Sequence, residues 1–445
     1  MSSEHDAASP AERTDPDLGI ARDTGRVIAI DIIRGLAILW VMTYHLFADM
    51  TLKSLAGPAG LYPAFGHQVT HLRVLPAIAA FGELVLGQGY MGVALFMMLS
   101  GLSLTMNAYR RPEPGLLHGY AMRFRRIIVA YWGGVLILVS VVAVVALFQM
   151  LLDGGSYAHQ WFNVRIAVLS PVLIHWEDVL WALSVVPWVF RAKPATIPVG
   201  SLWFVELLLQ YYLIFPFALM LLKKIGPWNL MALGLVVNII ARAAFIYAGS
   251  AAMDNLYVSR SLESFAVFRG AEFLIGMSLG YLIVHRREAM REWVGTPFDI
   301  AGLCVIAALC LWGGTVLAPK ADMFRVLGDL MVQVGLAILI LPLLFKRPGR
   351  LEASVLAKAL TFLGVISFMA LVVDDGMRYF GSFLRYEGAH GPGWWFFLWV
   401  VYIPGGALIA YPLSAFFGLL PKKASAAPSA AAAPQAAELG LASSG

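Results

Sequence analysis

IDIIRGLAILWVMTYHLFAD, residues 30–49, is long and apolar enough to cross a bilayer, yet it carries Asp31, Arg34 and His45. A span needs about 20 predominantly apolar residues, and an Asp or Arg at its centre costs roughly 2.5–3.5 kcal/mol on insertion scales. On a helix turning ~100° per residue, Arg34 and His45 lie within about 20° of one another and ~16 Å apart along the axis. Asp31 precedes Arg34 by one turn, within reach of an i,i+3 ion pair. All three therefore share one face. Ionisable groups on one face of a membrane helix line an internal cavity or pair with one another. An interfacial Asp31–Arg34 pair with the arginine snorkelling explains those two equally well, but it leaves His45 with no obvious partner nearby in sequence.

The rest of the chain supports the membrane reading. Of 445 residues, 60% are hydrophobic and only 13% charged, with a mean hydropathy of +0.76. Soluble domains carry about 25% charged residues, so this chain cannot cover a water-facing surface. The expected fold is all-α, a polytopic integral membrane bundle. Spans are predicted near 27–49, 88–108, 127–151, 200–222, 228–249, 264–284, 299–318, 325–345, 355–373 and 395–419, about ten transmembrane helices. A further stretch, 164–190, is interrupted by Pro171, His175, Glu177, Asp178 and Pro187 and reads as a re-entrant or interfacial segment. No internal repeat of the kind found in many transporters is visible.

A net charge of +5 and a pI near 9.1 do not imply nucleic acid. The basic residues gather in short stretches at 108–126, 223–224, 285–292, 346–350 and 422–423, which ten spans put on one side with the N-terminus. The positive-inside rule then places both termini in the cytoplasm, with the plasma (inner) membrane of a bacterium as the expected location. Residues 1–26 lack the apolar core of a secretory signal and read as a disordered cytoplasmic segment. Residues 27–420 form the membrane domain, and the Ala/Pro/Ser-rich stretch 421–445 is a low-complexity cytoplasmic tail. Cys304 and Cys310 fall on opposite sides of a helix, which argues against a disulfide or a metal pair. No metal site is expected, and nothing in the sequence sets the oligomeric state.

Other stretches carry patterns of their own. GVALFMMLSGLSL (92–104) offers Gly92 and Gly101 for close helix approach and Ser100 as a hydroxyl. RRIIVAYW (125–132) opens a span with Arg125 and Arg126, Arg123 just ahead and Tyr131 within it. The three arginines serve as positive-inside anchors, or hold a polyphosphate bidentately beside an aqueous entrance. SLWFVELLLQYYLIFP (201–216) contains Glu206 and Gln210 at i,i+4, able to form one polar patch. FRGAEFLIG (268–276) contains Arg269 and Glu272, and LGVISFMALVVDDG (363–376) contains Asp374.

Taken in order, these stretches resemble the acyltransferase 3 family of membrane O-acyltransferases over roughly 350 residues. Arg34 and His45 keep the family's Arg-x10-His spacing. Phe96, Ser100 and Gly101 match its second-helix pattern, RRIIVAYW its third-helix opening with Val129 at a common proline, and Arg269, Glu272, Phe273 and Gly276 a later pattern. Trp203, Gln210, Tyr212 and Pro216 match another segment, but Leu208 stands where many members have glutamate and Asp374 where a histidine is usual.

The resemblance implies a membrane acyltransferase using acyl-CoA, commonly acetyl-CoA, as co-substrate with no permanently bound cofactor. Its acceptor would be a hydroxyl of an extracytoplasmic glycan or glycolipid, and membrane lipids would surround it. His45 and Arg34 are then the catalytic candidates. Arg123, Arg125, Arg126, Ser100 and Tyr131 are candidates for holding the donor, and Asp31, Glu206, Gln210, Arg269, Glu272 and Asp374 are supporting polar groups. Imidazole, which titrates near pH ~6.5, can take a proton from a hydroxyl at neutral pH. No G-x-S-x-G elbow is present, so direct attack on the thioester is expected rather than an acyl-serine. Two alternatives remain at this level: a carrier of a lipid-linked sugar, and a related membrane N-acetyltransferase acting on an amino sugar, a group that shares a similar DxxRGLA helix.

Overall fold

A computed structural model of the chain describes residues 28–51, 81–82, 84–110, 124–125, 127–137, 139–140, 184, 203–249, 262, 264–316, 322–345, 354–386 and 392–420. Among the described residues the only regular elements are helices, with no strand. Helix α1 is Ile28–Thr51, and α2 is Gly92–Arg110, led in by a 3-10 turn at Gly89–Met91. The short α3 is Ile127–Ile137. Then come α4 (Trp203–Ile225), α5 (Pro227–Ala244, prolonged by a π turn at Phe245–Gly249) and α6 (Ala266–His285). The short α7 (Arg287–Glu292) precedes α8 (Pro297–Val316), α9 (Asp322–Phe345), α10 (Val355–Tyr386) and α11 (Pro392–Phe416).

Eight of these helices are long and apolar enough to cross a membrane: α1, α2, α4, α5, α6, α8, α9 and α10. The two remaining expected spans coincide with α3 and α11, whose apolar runs, Ile127–Ile137 and Val400–Phe416, are shorter. Apart from Ser184, the segment 164–190 lies outside the described residues, as do all of 1–27 and 421–445. Of the α2 span 78% is buried and of the α8 span only 22%, so α2 is the central helix and α8 a peripheral one facing lipid.

Helix ends follow local chemistry. Gly226, at φ 81°, takes an extended positive-φ conformation that breaks the α4–α5 run and that glycine adopts at little steric cost. Pro227 starts α5 where its missing N–H is not needed, and Lys223 and Lys224 sit in the last turn of α4, against its negative end. Prolines inside α4, α9 and α11 are tolerated because neighbouring helices can satisfy the freed backbone groups.

Lipid tails are as apolar as leucine, so helices in a bilayer associate through close packing rather than through the hydrophobic effect. Two glycine contacts provide it here. A Cβ added at Gly35 would collide with the Leu360 carbonyl, and one at Gly364 with the carbonyl of Asp31, so α1 and α10 touch backbone to backbone. Gly276 and Gly280 of α6 do the same against Met98 and Leu102 of α2. Both pairs run in the same direction. Gly364→Val is expected to destabilise the protein by about 1–3 kcal/mol, the usual cost of overpacking. Thermal unfolding in detergent checks this, with the exposed Gly302→Ala, where a Cβ meets nothing within 4 Å, as the variant that leaves the transition in place.

Candidate active site

The crossing of α1 and α10 sets the register of what lies beyond it. Ten residues on from Gly35 is His45, and ten on from Gly364 is Asp374. Parallel helices rising ~1.5 Å per residue therefore bring these two side chains to the same level, ~15 Å from the crossing. They meet there: His45 Nδ1 is hydrogen-bonded to Asp374 Oδ2. The Asp374 side chain is wholly buried, and that of His45 is 16% exposed. The other carboxylate oxygen, Oδ1, accepts a hydrogen bond of 2.5 Å from the hydroxyl of Tyr402 on α11, which also lies 3.2 Å from the Asp374 carbonyl. With Asp374 ionised, Nδ1 carries the proton and Nε2 the lone pair, the arrangement of a general base held by a carboxylate. The partner that His45 lacks in its own neighbourhood is thus supplied from far along the chain.

Arg34 occupies the other end of the same face. Its Nη2 donates to Ser103 Oγ on α2 at 2.9 Å, and its Nη1 lies 3.8 Å from Asp31 Oδ1. The side chain borders a cavity of about 360 Å³ between α1, α2, α3, α4 and α10, which Ser100, Ser103, Asn107, Tyr212 and Ser367 also line. Ser100 donates to the Phe96 carbonyl in its own helix at 2.7 Å. Ile127 forms the α3 wall, whereas Tyr131 is fully buried in the apolar core. Arg125 is exposed at the start of α3, and Arg123 and Arg126 lie outside the described residues.

The remaining polar candidates form a second layer. Gln210 of α4 donates from Nε2 to the Ser264 carbonyl and accepts at Oε1 from the Ala266 N–H, both at 2.9 Å. It therefore caps the start of α6, using both ends of its amide there. Arg269 pairs with Glu272 (Nε to Oε1, 2.8 Å) and stands 5.4 Å from the centre of the Trp203 ring. Gln333 of α9 donates to Glu272 Oε1 at 3.2 Å. Above them Arg242 of α5 pairs with Asp329 at 2.6 Å, and Glu206 is buried in the first turn of α4. These bonds tie α4, α5, α6 and α9 together.

Tyr402, Ser103 and the Arg242–Asp329 pair escape the sequence reading. Ser103 could have been found from its i,i+3 relation to Ser100. Tyr402 stands in an unbroken apolar run and carries no such signal. Tyr402→Phe removes one hydrogen bond to a buried carboxylate, an interaction of about 1.5–3 kcal/mol. The expected result is a fall in kcat of roughly ten- to a hundredfold with little change in KM for the donor, read from initial rates.

A bundle of apolar helices with a carboxylate-held histidine beyond an internal cavity has the parts of a membrane-embedded transferase. Comparison with known families makes this specific. Residues 27–419 match the family model described as an acyltransferase domain, and the chain belongs to that family, acyltransferase 3. It is a membrane acyltransferase. No curated protein and no solved structure matches the chain.

Proposed function

We propose that the protein transfers a short acyl group, acetyl in the simplest case, from acyl-CoA to a hydroxyl of a glycan or glycolipid on the opposite side of the membrane. The observation that carries this reading is the His45–Asp374–Tyr402 chain of hydrogen bonds, set one end of a helix away from an arginine-bordered cavity. Nε2 of His45 takes the proton of the acceptor hydroxyl as its oxygen attacks the thioester carbonyl. The C–S bond then breaks, and the imidazolium returns the proton to the departing thiolate, so atoms and charges balance and no covalent enzyme intermediate is needed. The cavity is at the lower end of the ~300–1,000 Å³ range of small-ligand pockets, which favours a short acyl group.

In this reading Arg34 faces the donor, and Arg123, Arg125 and Arg126 are the candidates for holding the CoA phosphates. Arg34→Ala is expected to raise KM for acyl-CoA about tenfold or more, the loss of one charge-assisted contact, with a smaller change in kcat. Direct titration of the purified protein with acetyl-CoA checks the binding part. The reading as a whole is tested by incubating purified protein with labelled acetyl-CoA and a cell-envelope glycan extract and identifying the labelled product by mass spectrometry. Label retained wholly on CoA, with no CoA released, would overturn it.

A further inference from the structure

The cavity is a slot running along the bundle, and the helix registers give its direction. Helix α2 lies antiparallel to α1, with Gly89 against Trp40 and Tyr44 and Gly92 against Ala37, while α10 lies parallel to α1 through Gly35 and Gly364. Of the lining residues, Asn107 therefore stands at the end away from His45, and Leu371 at the end towards it, three residues short of Asp374. Asn107 is also exposed, which makes its end the entrance. Ser100, Ser103 and Asn107 form the polar wall on α2, spaced i, i+3, i+7 and so stacked on one face with rises of ~4.5 and ~6 Å. Ser100 gives its proton to the Phe96 carbonyl. Ser103 accepts from Arg34, which leaves its own O–H to donate. The Asn107 amide has no hydrogen-bond partner among the described residues. Ile127, Leu208 and Val365 supply apolar wall around this polar stripe.

We propose that Ser103 and Asn107 hold the two amides of the donor's pantetheine arm, Asn107 the amide farther from the thioester and Ser103 the nearer. This rests on the acyl-CoA donor proposed above. The two amides of that arm are separated by a β-alanine unit and lie ~5 Å apart, one methylene more than in a peptide. The two side chains differ in level by ~6 Å, so one amide meets each. Asn107 donates to the carbonyl of the first amide, and the Ser103 hydroxyl to that of the second. An amide drawn unpaired into a partly apolar slot is disfavoured, so these partners let the arm enter and fix how far it goes. Beyond Ser103 the slot leads on towards Leu371, and the thioester is carried to the His45 end.

The experiment compares kcat/KM for acetyl-CoA, S-acetylpantetheine and S-acetyl-N-acetylcysteamine, which keeps only the amide nearer the thioester. Thiol release is read in detergent, with the glycan extract present, for the wild type and for Asn107→Ala, Ser103→Ala and Asn229→Ala. Asn229, exposed at the start of α5 and bonded to the Ile225 carbonyl, reports the loss of a surface amide away from the slot. Asn107→Ala should lower kcat/KM roughly three- to tenfold with the first two donors, the weight of one neutral hydrogen bond. With S-acetyl-N-acetylcysteamine it should match the wild type within about twofold. Ser103→Ala should lose with all three donors, because each carries the nearer amide and because Ser103 also holds Arg34. Asn229→Ala should change none of them. Equal losses with all three donors in Asn107→Ala would overturn the proposal, because the side chain would then serve packing or the chemistry rather than the arm. So would an undiminished kcat/KM for acetyl-CoA in that variant. A wild type that releases thiol from none of the three donors removes the donor reading itself, and this assignment with it.

Discussion

His45→Asn is expected to lower kcat by roughly 10²–10⁴-fold, the range contributed by a general base, while leaving KM for the donor near its wild-type value. Asparagine places an N–H where His45 Nδ1 stands, so it can still donate to Asp374, but it has no nitrogen able to take a proton. His45→Ala should lose as much activity and also lose stability, because it leaves the wholly buried Asp374 carboxylate with Tyr402 as its one side-chain partner among the described residues. A charge stripped of its buried partner typically destabilises by 3–5 kcal/mol. Initial rates of CoA release together with thermal unfolding separate the two effects. Activity of His45→Asn within about threefold of wild type would remove His45 as the base.

Asp374→Asn should be nearly as damaging, for a different reason. The carboxylate can only accept a hydrogen bond, so it keeps the proton of His45 on Nδ1. An amide in its place can donate to Nδ1 instead, which moves the ring proton to Nε2 and leaves no lone pair facing the acceptor. A loss of roughly 10²–10⁴-fold in kcat is expected from this change of tautomer, with unfolding temperature and donor affinity little altered. The ¹⁵N shifts of the His45 ring, labelled in the purified protein, give a second readout: the protonated nitrogen should switch from Nδ1 to Nε2. An unswitched ring with full activity would mean that Asp374 only fills space.

What could be read from the sequence was whatever repeats within one helix. The period of α1 puts Asp31, Arg34 and His45 on one face with no knowledge of any neighbour, and the structure keeps Arg34 at the cavity and Asp31 beside it. The partners across helices were not legible. Asp374 stands out in the sequence as a replacement, yet its bond to His45 depends on the Gly35–Gly364 crossing, which no local pattern announces. Gln210 illustrates the same limit. Its spacing to Glu206 suggests a shared patch, but its amide is used on the backbone at Ser264 and Ala266, because the start of α6 has groups to satisfy. Shape was the least legible property: the cavity is walled by side chains of five helices, and apart from Arg34 and Ser100 none of them stands out in its own stretch.

The partnership of His45 with Asp374 spans 329 residues of chain, and this separation acts in time as well as in space. At about 5–20 residues per second of synthesis, roughly 15–65 s pass between the emergence of α1 and that of Asp374. Throughout that interval a growing chain holds its most polar membrane helix without the helix that accepts it, and His45 has no carboxylate to fix its tautomer. On the proposed chemistry, the enzyme stays silent until α10 docks through its glycine. On that chemistry every chain that stops short of Asp374 is expected to be inert, and catalytic competence reports that insertion has run through at least ten of the eleven helices described.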